Sequence, residues 1–459
     1  MTPPRPNIIL ILADDMGSWA AGCCGNREII TPNLDRLATE GVRFENAFCT
    51  SPVCSPARAS ILTGRMPSRH GVHDWICGNG AVRYLEGEST FVDDLAGAGY
   101  ACGLVGKWHL GDSARPQCGF RHWEATPGGE AIYRDTPMVR DGQWSVREGY
   151  ATERITDGAL GLLRQLGGGN APFFLSVNYT APHAPWGRAH HPAHWFDPYF
   201  RDCPFESVPN LPPHPWQRLT APRPRNGSER RELLAGYFGA VSAMDAGIGR
   251  ILRLLRELGL EEQTTLLFTS DNGMNMGHHG IYGKGNGTSP LNLYDTSVKV
   301  PLIIKSPRVL HAGSVSHEMI SHYDLRPTLL SLARLPVENF PSPGRDRSQL
   351  LAGDPGGGAE VSVVYDEYGD ARMIRTRQWK YIDRTISAPP ELYHLADDPD
   401  ETRNRFSDPA CREIQRELKQ QLALWFQRHT LPERDGRKFP VKGDGQAGRC
   451  DGHTPPIFF

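Results

Sequence analysis

Short apolar runs rich in β-branched residues recur along this chain, and stretches with helical spacing of apolar residues separate them. The runs fall at 7–13, 100–105, 172–177, 264–269 and 300–305. Strands that are apolar on both sides and alternate with helices are typical of a mainly parallel sheet buried between two helical layers. With 459 residues, the chain is too long for one small core. We therefore predict a large α/β domain: a mixed, mostly parallel sheet flanked by helices.

Helix signals support this interpretation. Thr31 and Pro32 open a helix that ends near Gly41, because a threonine cap, a proline in the first turn and a final glycine mark such a segment. Apolar residues with helical spacing predict further helices over 233–258 and 319–332. Residues 187–230 are rich in Pro, His and Arg, and we expect them to form a long excursion over the surface.

A stretch rich in Pro and Gly, 341–358, predicts a domain boundary. Beyond it, short strands are expected at 361–367, 371–376 and 379–382, then a helix over about 408–429 and an irregular tail after Gly443. The predicted division is therefore a domain of residues 1–358 and a smaller C-terminal α+β domain, 359–459, with an antiparallel sheet.

Charge and cysteine content narrow the classes of partner. The formal net charge is −2, which gives no broad attraction to nucleic acid or to an anionic membrane, and no apolar run is long enough to span a bilayer. Ten cysteines occur without a CxxC pair, so neither zinc-finger spacing nor a disulfide framework is indicated. The N-terminus lacks the pattern of a secretory signal, and we expect a cytoplasmic protein unless such a signal has been removed.

Polar residues of catalytic type follow four of the predicted strands. The groups are Asp14-Asp15, Lys107-Trp108-His109, Pro182-His183 and Asp271-Asn272. Ligands bind outside the carboxyl ends of strands in open α/β sheets, so these groups are expected to meet in one crevice. Asp14, Asp15, Asp271 and Asn272 supply hard oxygen atoms, which suit Ca²⁺ or Mg²⁺ better than zinc. Each Asp taken alone is equally typical of a helix cap.

Cys54 precedes Ser55-Pro56-Ala57-Arg58, and the segment that ends at Gly64 predicts a short helix. Cys54 then lies at the helix start, where unpaired backbone N–H groups favour an anion. Arg58, four residues on, shares its face. The alternative is a buried structural cysteine beside a surface arginine.

The pentapeptide CSPAR with the following TGR resembles the signature of the sulfatase family. The segments ILILADDMG, TPNLDRLATEGVRFENAF, GKWHLG, APHAPW, SDNG, GHHGIYGKG and ELYHLADDPDETRN resemble the same family in its order, over nearly the whole chain. The resemblance implies the alkaline-phosphatase-like fold and the hydrolysis of a sulfate monoester to an alcohol and sulfate. The implied substrate is a sulfated small molecule or saccharide, such as a sulfated carbohydrate or an aryl sulfate.

The resemblance also implies the cofactors. A formylglycine-generating enzyme would oxidise Cys54 to Cα-formylglycine, whose hydrate is a geminal diol. Ca²⁺, or alternatively Mg²⁺, would be held by the oxygen ligands and the modified residue, namely Asp14, Asp15, Cys54, Asp271 and Asn272.

Further roles follow from the same resemblance. Arg58 would steady the hydrated aldehyde, while Lys107, His109, His183 and Lys284 would surround the sulfate and the leaving oxygen. Lys107, Lys284 and Arg58 place positive charge where the transition state gathers negative charge. His183 is the first candidate for the general acid and Lys284 the second, and His109 is the candidate base. His73 and Trp75 are candidate substrate contacts, with plain packing as the alternative reading.

Two rival functions stay open on the sequence. A phosphonate or phosphate monoester hydrolase of the same superfamily uses a similar CxPxR segment, although the Lys107-x-His109 pattern favours sulfate. A non-catalytic sulfate-binding protein would keep Cys54 as a thiol. The natural substrate and the oligomeric state are not encoded in any motif of the chain.

Overall fold

A computed structural model gives the fold and describes residues 4–77, 82–140, 142–307, 309–337, 342–353, 363–450 and 456–459. The strands are β1 (Asn7–Ala13), β2 (Val42–Phe48), β3 (Ala101–Lys107), β4 (His122–Thr126), β5 (Arg134–Arg140), β6 (Gln143–Tyr150), β7 (Phe173–Asn178), β8 (Thr264–Ser270), β9 (Asn275–Met276), β10 (Tyr282–Gly283), β11 (Leu302–Lys305), β12 (Ser314–Ser321), β13 (Val364–Tyr368), β14 (Ala371–Arg375), β15 (Trp379–Asp383) and β16 (Glu391–His394).

The α-helices are α1 (Pro32–Glu40), α2 (Cys54–Thr63), α3 (Pro67–His70), α4 (Phe91–Gly97), α5 (Ala151–Gly167), α6 (Ala193–Asp202), α7 (Gly227–Glu257), α8 (Asp295–Val298), α9 (Leu325–Leu332) and α10 (Arg412–His429). None of the helices in the described ranges combines the length and the apolar character needed to cross a membrane.

A 10-stranded mixed sheet forms the centre of the protein, in the order β12-β2-β11-β8-β1-β7-β3-β4-β5-β6. Its middle, β8-β1-β7-β3-β4, is parallel throughout. Strand β11 runs antiparallel to both of its neighbours, and β5 and β6 extend the other edge as an antiparallel pair. The predicted mixed sheet with a parallel core is confirmed, and its parallel strands all end at one edge.

Helices cover both faces of this sheet because alternate side chains of a strand point to opposite sides. Ile9 and Ile11 of β1 pack into the cluster that contains the buried residues of α1, α5 and α7. Ile8, Leu10 and Leu12 pack into the cluster formed with α2, α4 and α9 on the other side. The central strand is buried on both faces, which is why it reads as an uninterrupted apolar run.

The predicted C-terminal antiparallel sheet is confirmed as a four-stranded meander, β13-β14-β15-β16. Helix α10 lies against it through Leu418, Leu422 and Phe426, which share a core cluster with Ile374 and Tyr381. The proposed boundary at 358/359 and the first two residues of the strand predicted at 361–367 lie outside the described residues, so the division into two domains stays a prediction.

One predicted helix is wrong in its first part. Residues 319–321 end strand β12, and the α-helix begins only at Leu325 after a short 3₁₀ turn. Met319 and Ile320 pair with Asn46 and Ala47 of β2 across a register shift. Pairing with β2, a strand distant in the sequence, overrides the local helical spacing here. The local sequence pattern does not predict such a pairing.

The surface excursion predicted over 187–230 contains a regular element. Helix α6 lies within it and buries Phe196 and Tyr199 against the long helix α7. The Tyr199 hydroxyl hydrogen-bonds the Ser242 hydroxyl of α7 at 2.6 Å. The part of the excursion that follows α6 returns over the carboxyl edge of the sheet.

Candidate active site

The carboxyl ends of β1 and β8 bring four oxygen-bearing side chains together. The two strands are parallel neighbours in register, with Ala13 opposite Ser270, so the residues that follow them meet. The backbone N–H of Asp271 donates to Ala13 O (3.1 Å), and that of Asp15 donates to Asp271 Oδ1 (3.1 Å). Carboxylate oxygens of Asp14, Asp15 and Asp271 all lie within 4.8 Å of one another, and all three side chains are buried.

Cys54 points into this group of carboxylates. It is the first residue of α2, and its Sγ lies 3.3 Å from Asp14 Oδ1 and 2.7 Å from Lys284 Nζ. Lys107 Nζ is 3.8 Å from the same sulfur. The sequence-based expectation that residue 54 faces the oxygen cluster therefore matches the geometry.

Three buried cations surround the cluster. Lys107 Nζ pairs with Asp14 Oδ2 at 2.5 Å, and Lys284 Nζ pairs with Asp15 Oδ1 at the same distance. Arg58 Nη2 lies 2.8 Å from Asp271 Oδ2, and its Nη1 donates to the carbonyl of Lys107 at 3.1 Å. Three carboxylates are thus balanced by three fixed cations before any ligand enters.

Glycine at position 106 is required to place Lys107. Gly106 has φ of +100°, and a Cβ there would lie 1.9 Å from the carbonyl oxygen of Asn178. The close approach lets the Asn178 side chain donate to the Lys107 carbonyl at 2.9 Å. Any other residue at 106 would separate β3 from β7 at the point where Lys107 turns into the site.

Charge pairing sets the ionisation of these groups. Burial alone would raise the pKa of Asp14, but Lys107 and the other positive groups around it together outweigh burial and lower that pKa to about 2. The pKa of Asp15 is lowered in the same way, against burial, chiefly by Lys284. Burial and the neighbouring Asp14 carboxylate raise the pKa of the Cys54 thiol, so the unmodified residue stays protonated and is a poor nucleophile.

The two histidines of the site differ in environment. His109 has a ring N–H (Nε2) donating to Ile76 O at 3.1 Å, which leaves Nδ1 without a hydrogen-bond partner within the described part of the chain. Burial, then Lys107, lowers the pKa of His109 well below 6.5, so the ring is neutral and Nδ1 carries a free lone pair. His183 Nδ1 donates to Ala184 O at 2.7 Å, and its Nε2 lies 3.6 Å from Asp15 Oδ2.

The donor set fits a divalent cation with a preference for oxygen. Asp14, Asp15 and Asp271 present carboxylate oxygens within 4.8 Å of one another, a spacing that lets one hard cation bind all three. Asn272 Nδ2 donates to Asp15 Oδ1 and to Gly273 O, but its buried Oδ1 has no partner among the residues that the structure describes. An unsatisfied buried amide oxygen beside three carboxylates is an unused ligand for a hard cation.

A cavity of about 350 Å³ opens above this group. Asp15, Cys54, His109, His183 and Lys284 line its deep end, so four of the six predicted catalytic residues face this space. Arg58 and Lys107 are buried behind them. Trp75 also lines the cavity, and its Nε1 donates to Gly443 O at 3.1 Å.

His73 is not brought to the cavity. It is buried, its ring packs 5.5 Å from that of Phe439, and it is absent from the described residues that line the space. The packing alternative given for His73 therefore agrees with its position, and substrate contact does not.

Several lining residues were not expected from the sequence. They come from the loop before β5, from the excursion after α6, from the turn after β10 and from the tail beyond α10, and are Glu130, Leu219, Thr220, Ala221, Asn286, Gly443 and Asp444. No motif in the chain marks them, because loops take their position from the rest of the fold.

The tail is fixed to the site by buried hydrogen bonds. Asp74 Oδ2 accepts from the backbone N–H groups of Gly443 (3.0 Å) and Gly445 (3.2 Å). The fully buried Gln446 side chain accepts from His73 N at 2.8 Å and donates to Gly71 O at 3.0 Å. The tail is irregular, as expected, yet it forms a wall of the cavity.

Comparison with known proteins adds to this geometry. The family model described as Sulfatase matches residues 6–335, and the model described as N-sulphoglucosamine sulphohydrolase, C-terminal, matches residues 277–427. N-acetylglucosamine-6-O-sulfatase of Bacteroides thetaiotaomicron is 29% identical over 91% of this chain and 86% of its own length.

Solved structures agree on the fold. A protein whose structure was solved in complex with its substrate D-glucosamine-2-N,6-O-disulfate is similar with a TM-score of 0.76 and 26% identity, over 93% of this chain and 98% of that one. The phosphonate monoester hydrolase of Agrobacterium radiobacter has a TM-score of 0.75 and 23% identity, over 93% and 96% of the two chains. The second likeness concerns the fold alone.

Proposed function

This chain belongs to the sulfatase family, and from that premise we propose that its substrate is a sulfated carbohydrate. The protein is a sulfuric ester hydrolase, which converts R–O–SO₃⁻ to an alcohol and sulfate. Two similar proteins support the substrate class, since one is named for N-acetylglucosamine 6-sulfate and another binds a glucosamine disulfate. A 350 Å³ cavity with Trp75 on its wall has the size and the aromatic surface for a sugar ring.

The position of Cys54 is the observation that supports this type of reaction. Its Sγ lies among Asp14, Lys107 and Lys284, at the bottom of the cavity. Members of the family contain a formylglycine at this motif, and we propose that a formylglycine-generating enzyme oxidises Cys54. The hydrated aldehyde supplies two hydroxyls on one carbon, so that one can take the sulfuryl group and the other can release it.

We propose Ca²⁺ as the metal of the site, with Mg²⁺ as the alternative. Asp14, Asp15, Asp271 and Asn272 would hold it together with residue 54, because oxygen ligands of this number suit Ca²⁺. A bound divalent ion lowers the pKa of an attacking hydroxyl and offsets the charge of the sulfate oxygens. Added to a cluster whose charges already balance, it also leaves the site net positive for an anionic ester.

The three cations have separate tasks in this proposal. Arg58 is fixed by Asp271 and the Lys107 carbonyl, so its guanidinium orients the carboxylate and steadies residue 54. Lys107 and Lys284 place ammonium groups beside residue 54, where the transferring sulfuryl group gathers negative charge. Because these groups are already fixed, little reorganisation is needed in the transition state.

The histidines are assigned to proton transfer. His183 is the proposed general acid, since its Nδ1 hydrogen is held by Ala184 O and its Nε2 faces the cavity floor near Asp15. Protonated there, Nε2 donates to the leaving oxygen of an alkyl sulfate. His109, neutral with a free Nδ1, is the proposed base that would accept a proton from the modified residue 54. Lys284 stays the second candidate for the acid.

The test combines a mass measurement with a choice of substrates. The protein is produced with a formylglycine-generating enzyme, and the peptide that contains Cys54 is expected to lose about 18 Da. The matured enzyme is expected to hydrolyse 4-nitrophenyl sulfate and glucosamine 6-sulfates, and Cys54→Ala to abolish both activities. Cys102→Ala, a change of another buried cysteine at the far end of β3, is the matched control.

The rival functions give different results in the same experiment. A phosphonate monoester hydrolase, with which this chain shares its fold, would turn over a phenyl phosphonate ester faster than 4-nitrophenyl sulfate. A non-catalytic sulfate-binding protein would show an unmodified Cys54 peptide and no turnover. The Lys107-x-His109 pattern, with Lys107 Nζ 3.8 Å from Cys54 Sγ, favours the sulfatase reaction.

A further inference from the structure

The two ends of the active-site cavity differ in charge. The deep end holds the balanced carboxylates and cations described above. Among the described residues that line the outer part, the charged side chains are Glu130 and Asp444, and neither Lys nor Arg is present. Neutral residues, among them Trp75 and Leu219, make up the rest of that part. These outer residues form the rim of the cavity. A substrate bound at residue 54 therefore passes a rim that carries negative charge.

Asp444 and Glu130 differ in how their charge is compensated. Arg218 pairs with Asp444 through Nη2, and its Nη1 donates to Lys442 O at 2.6 Å. Both Nη groups of this arginine thus bind the C-terminal tail and hold the excursion of residues 187–230 against it. Glu130 is exposed, and within the described ranges its carboxylate has no cation or hydrogen-bond donor. The rim then has a net charge of about −1 from Glu130, in addition to the Asp444–Arg218 pair.

We propose that this rim selects a sulfated sugar whose ring bears a cationic or neutral substituent, such as an ammonium or acetamido group, and disfavours a second anionic group. The inference rests on the proposed function, because it names the sugar that the same site accepts. A cavity of this size holds a second substituent of the ring within a Debye length of Glu130, so the charge of that substituent changes the binding energy. An ammonium substituent strengthens the binding of the sugar, and a sulfamate or carboxylate substituent weakens it.

Rim charge is expected to act on binding more than on the chemical step. Glu130 lies with the rim residues, whereas Cys54 and Lys284 form the cavity floor and Lys107 is buried beside Cys54. A charge at the rim interacts with the ring substituent equally before and during sulfuryl transfer. The discrimination should therefore be visible in KM and Ki, with kcat little changed.

Three sugars that differ only at N2 test the proposal: glucosamine 6-sulfate with a free amine, with an N-acetyl group and with an N-sulfo group. Each is measured as a substrate and as a competitive inhibitor of 4-nitrophenyl sulfate hydrolysis. We expect the free amine to bind about tenfold more tightly than the N-sulfo sugar, with the N-acetyl sugar between them. High salt should reduce this difference.

Variants separate charge from shape. Glu130→Gln should reduce the preference for the amine over the N-sulfo sugar severalfold, and Glu130→Lys should reverse it. Glu262→Gln is the matched control, because Glu262 is exposed before β8, at the opposite edge of the sheet, and should leave the ratio unchanged.

The outcomes distinguish this inference from the proposed function. Equal binding of the three sugars, or tightest binding of the N-sulfo sugar, overturns the rim inference and leaves the sulfatase assignment intact. If 4-nitrophenyl sulfate is hydrolysed but none of the sugars binds, the carbohydrate proposal fails and this inference fails with it. A preference that Glu130→Lys does not change also overturns it.

Discussion

Replacing Gln446 with leucine tests whether the tail wall is held by buried polar contacts. The Gln446 side chain is fully buried and bonds four peptide groups: it accepts from His73 N and Asp74 N, and it donates to Gly71 O and Gly448 O, over 2.8 to 3.3 Å. Leucine has a similar volume and none of these bonds. Each buried peptide group left unpaired costs about 1–3 kcal/mol, and the tail can relax to hydrate some of them.

We therefore expect Gln446→Leu to destabilise the tail by about 3 kcal/mol. A loss of this size raises the equilibrium constant for local opening of the tail roughly a hundredfold. Hydrogen exchange measures it directly, through the amides of Gly443 and Gly445 that donate to Asp74. KM for a sugar sulfate should rise while kcat changes little, because the ligands of the cavity floor are not touched.

A matched control is Gln420→Leu on the exposed side of α10, which should leave tail exchange unchanged. The reasoning would be refuted if Gln446→Leu left the protection of Gly443 and Gly445 at the wild-type level. It would equally be refuted if protection fell throughout the central sheet, because the tail would then unfold with the whole protein rather than by itself.

Three further predictions concern the site and its pH dependence. His183→Ala should slow hydrolysis of alkyl sulfates by about a hundredfold or more and that of 4-nitrophenyl sulfate much less, and equal slowing of both in a kcat comparison would contradict the acid role. Adding Ca²⁺ to the metal-free protein should raise Tm, and Asp271→Asn should abolish most of that rise in a thermal melt, whereas an unchanged rise would place the ion elsewhere. Burial raises the pKa of Asp74 from 3.8 to about 6, so the folded protein binds this proton more tightly than the unfolded chain does. Its contribution to stability is therefore complete below about pH 4 and is lost as pH rises through 6. Asp74→Asn should remove up to about 3 kcal/mol of that decline in denaturant titrations at pH 4 and 7, and an identical decline in both proteins would refute the assignment.

The floor of the site was predictable because its residues follow buried strands. A fully apolar run such as Asn7–Ala13 fixes where a central strand ends, and the parallel sheet brings all such ends to one edge. Asp14 and Asp271 then had to meet once β1 and β8 became neighbours. The CSPAR segment likewise determined a helix start, and with it the direction of Cys54.

The rim was not predictable, for an equally physical reason. Glu130, Leu219 and Asp444 lie on irregular segments whose positions depend on long-range contacts rather than on local periodicity. The tail contains no apolar pattern that predicts burial, and three of the four peptide groups that hold the Gln446 side chain lie some 370 residues earlier in the chain. For His73 the sequence left substrate contact and packing open, because it lies two residues before Trp75 in a segment where only one of these two side chains reaches the cavity.

The position of Phe458 and Phe459 also affects where a fusion tag is best placed. Phe459 N donates to Gly445 O at 3.1 Å, and Phe458 packs near the ring of His73. Any segment that follows Phe459 directly starts beside the wall that holds Trp75, so a bulky fusion at that point is expected to disturb the wall. A tag placed ahead of Asn7 starts at the other end of β1, about 20 Å from the metal ligands, and is the safer choice for kinetic work and crystallisation.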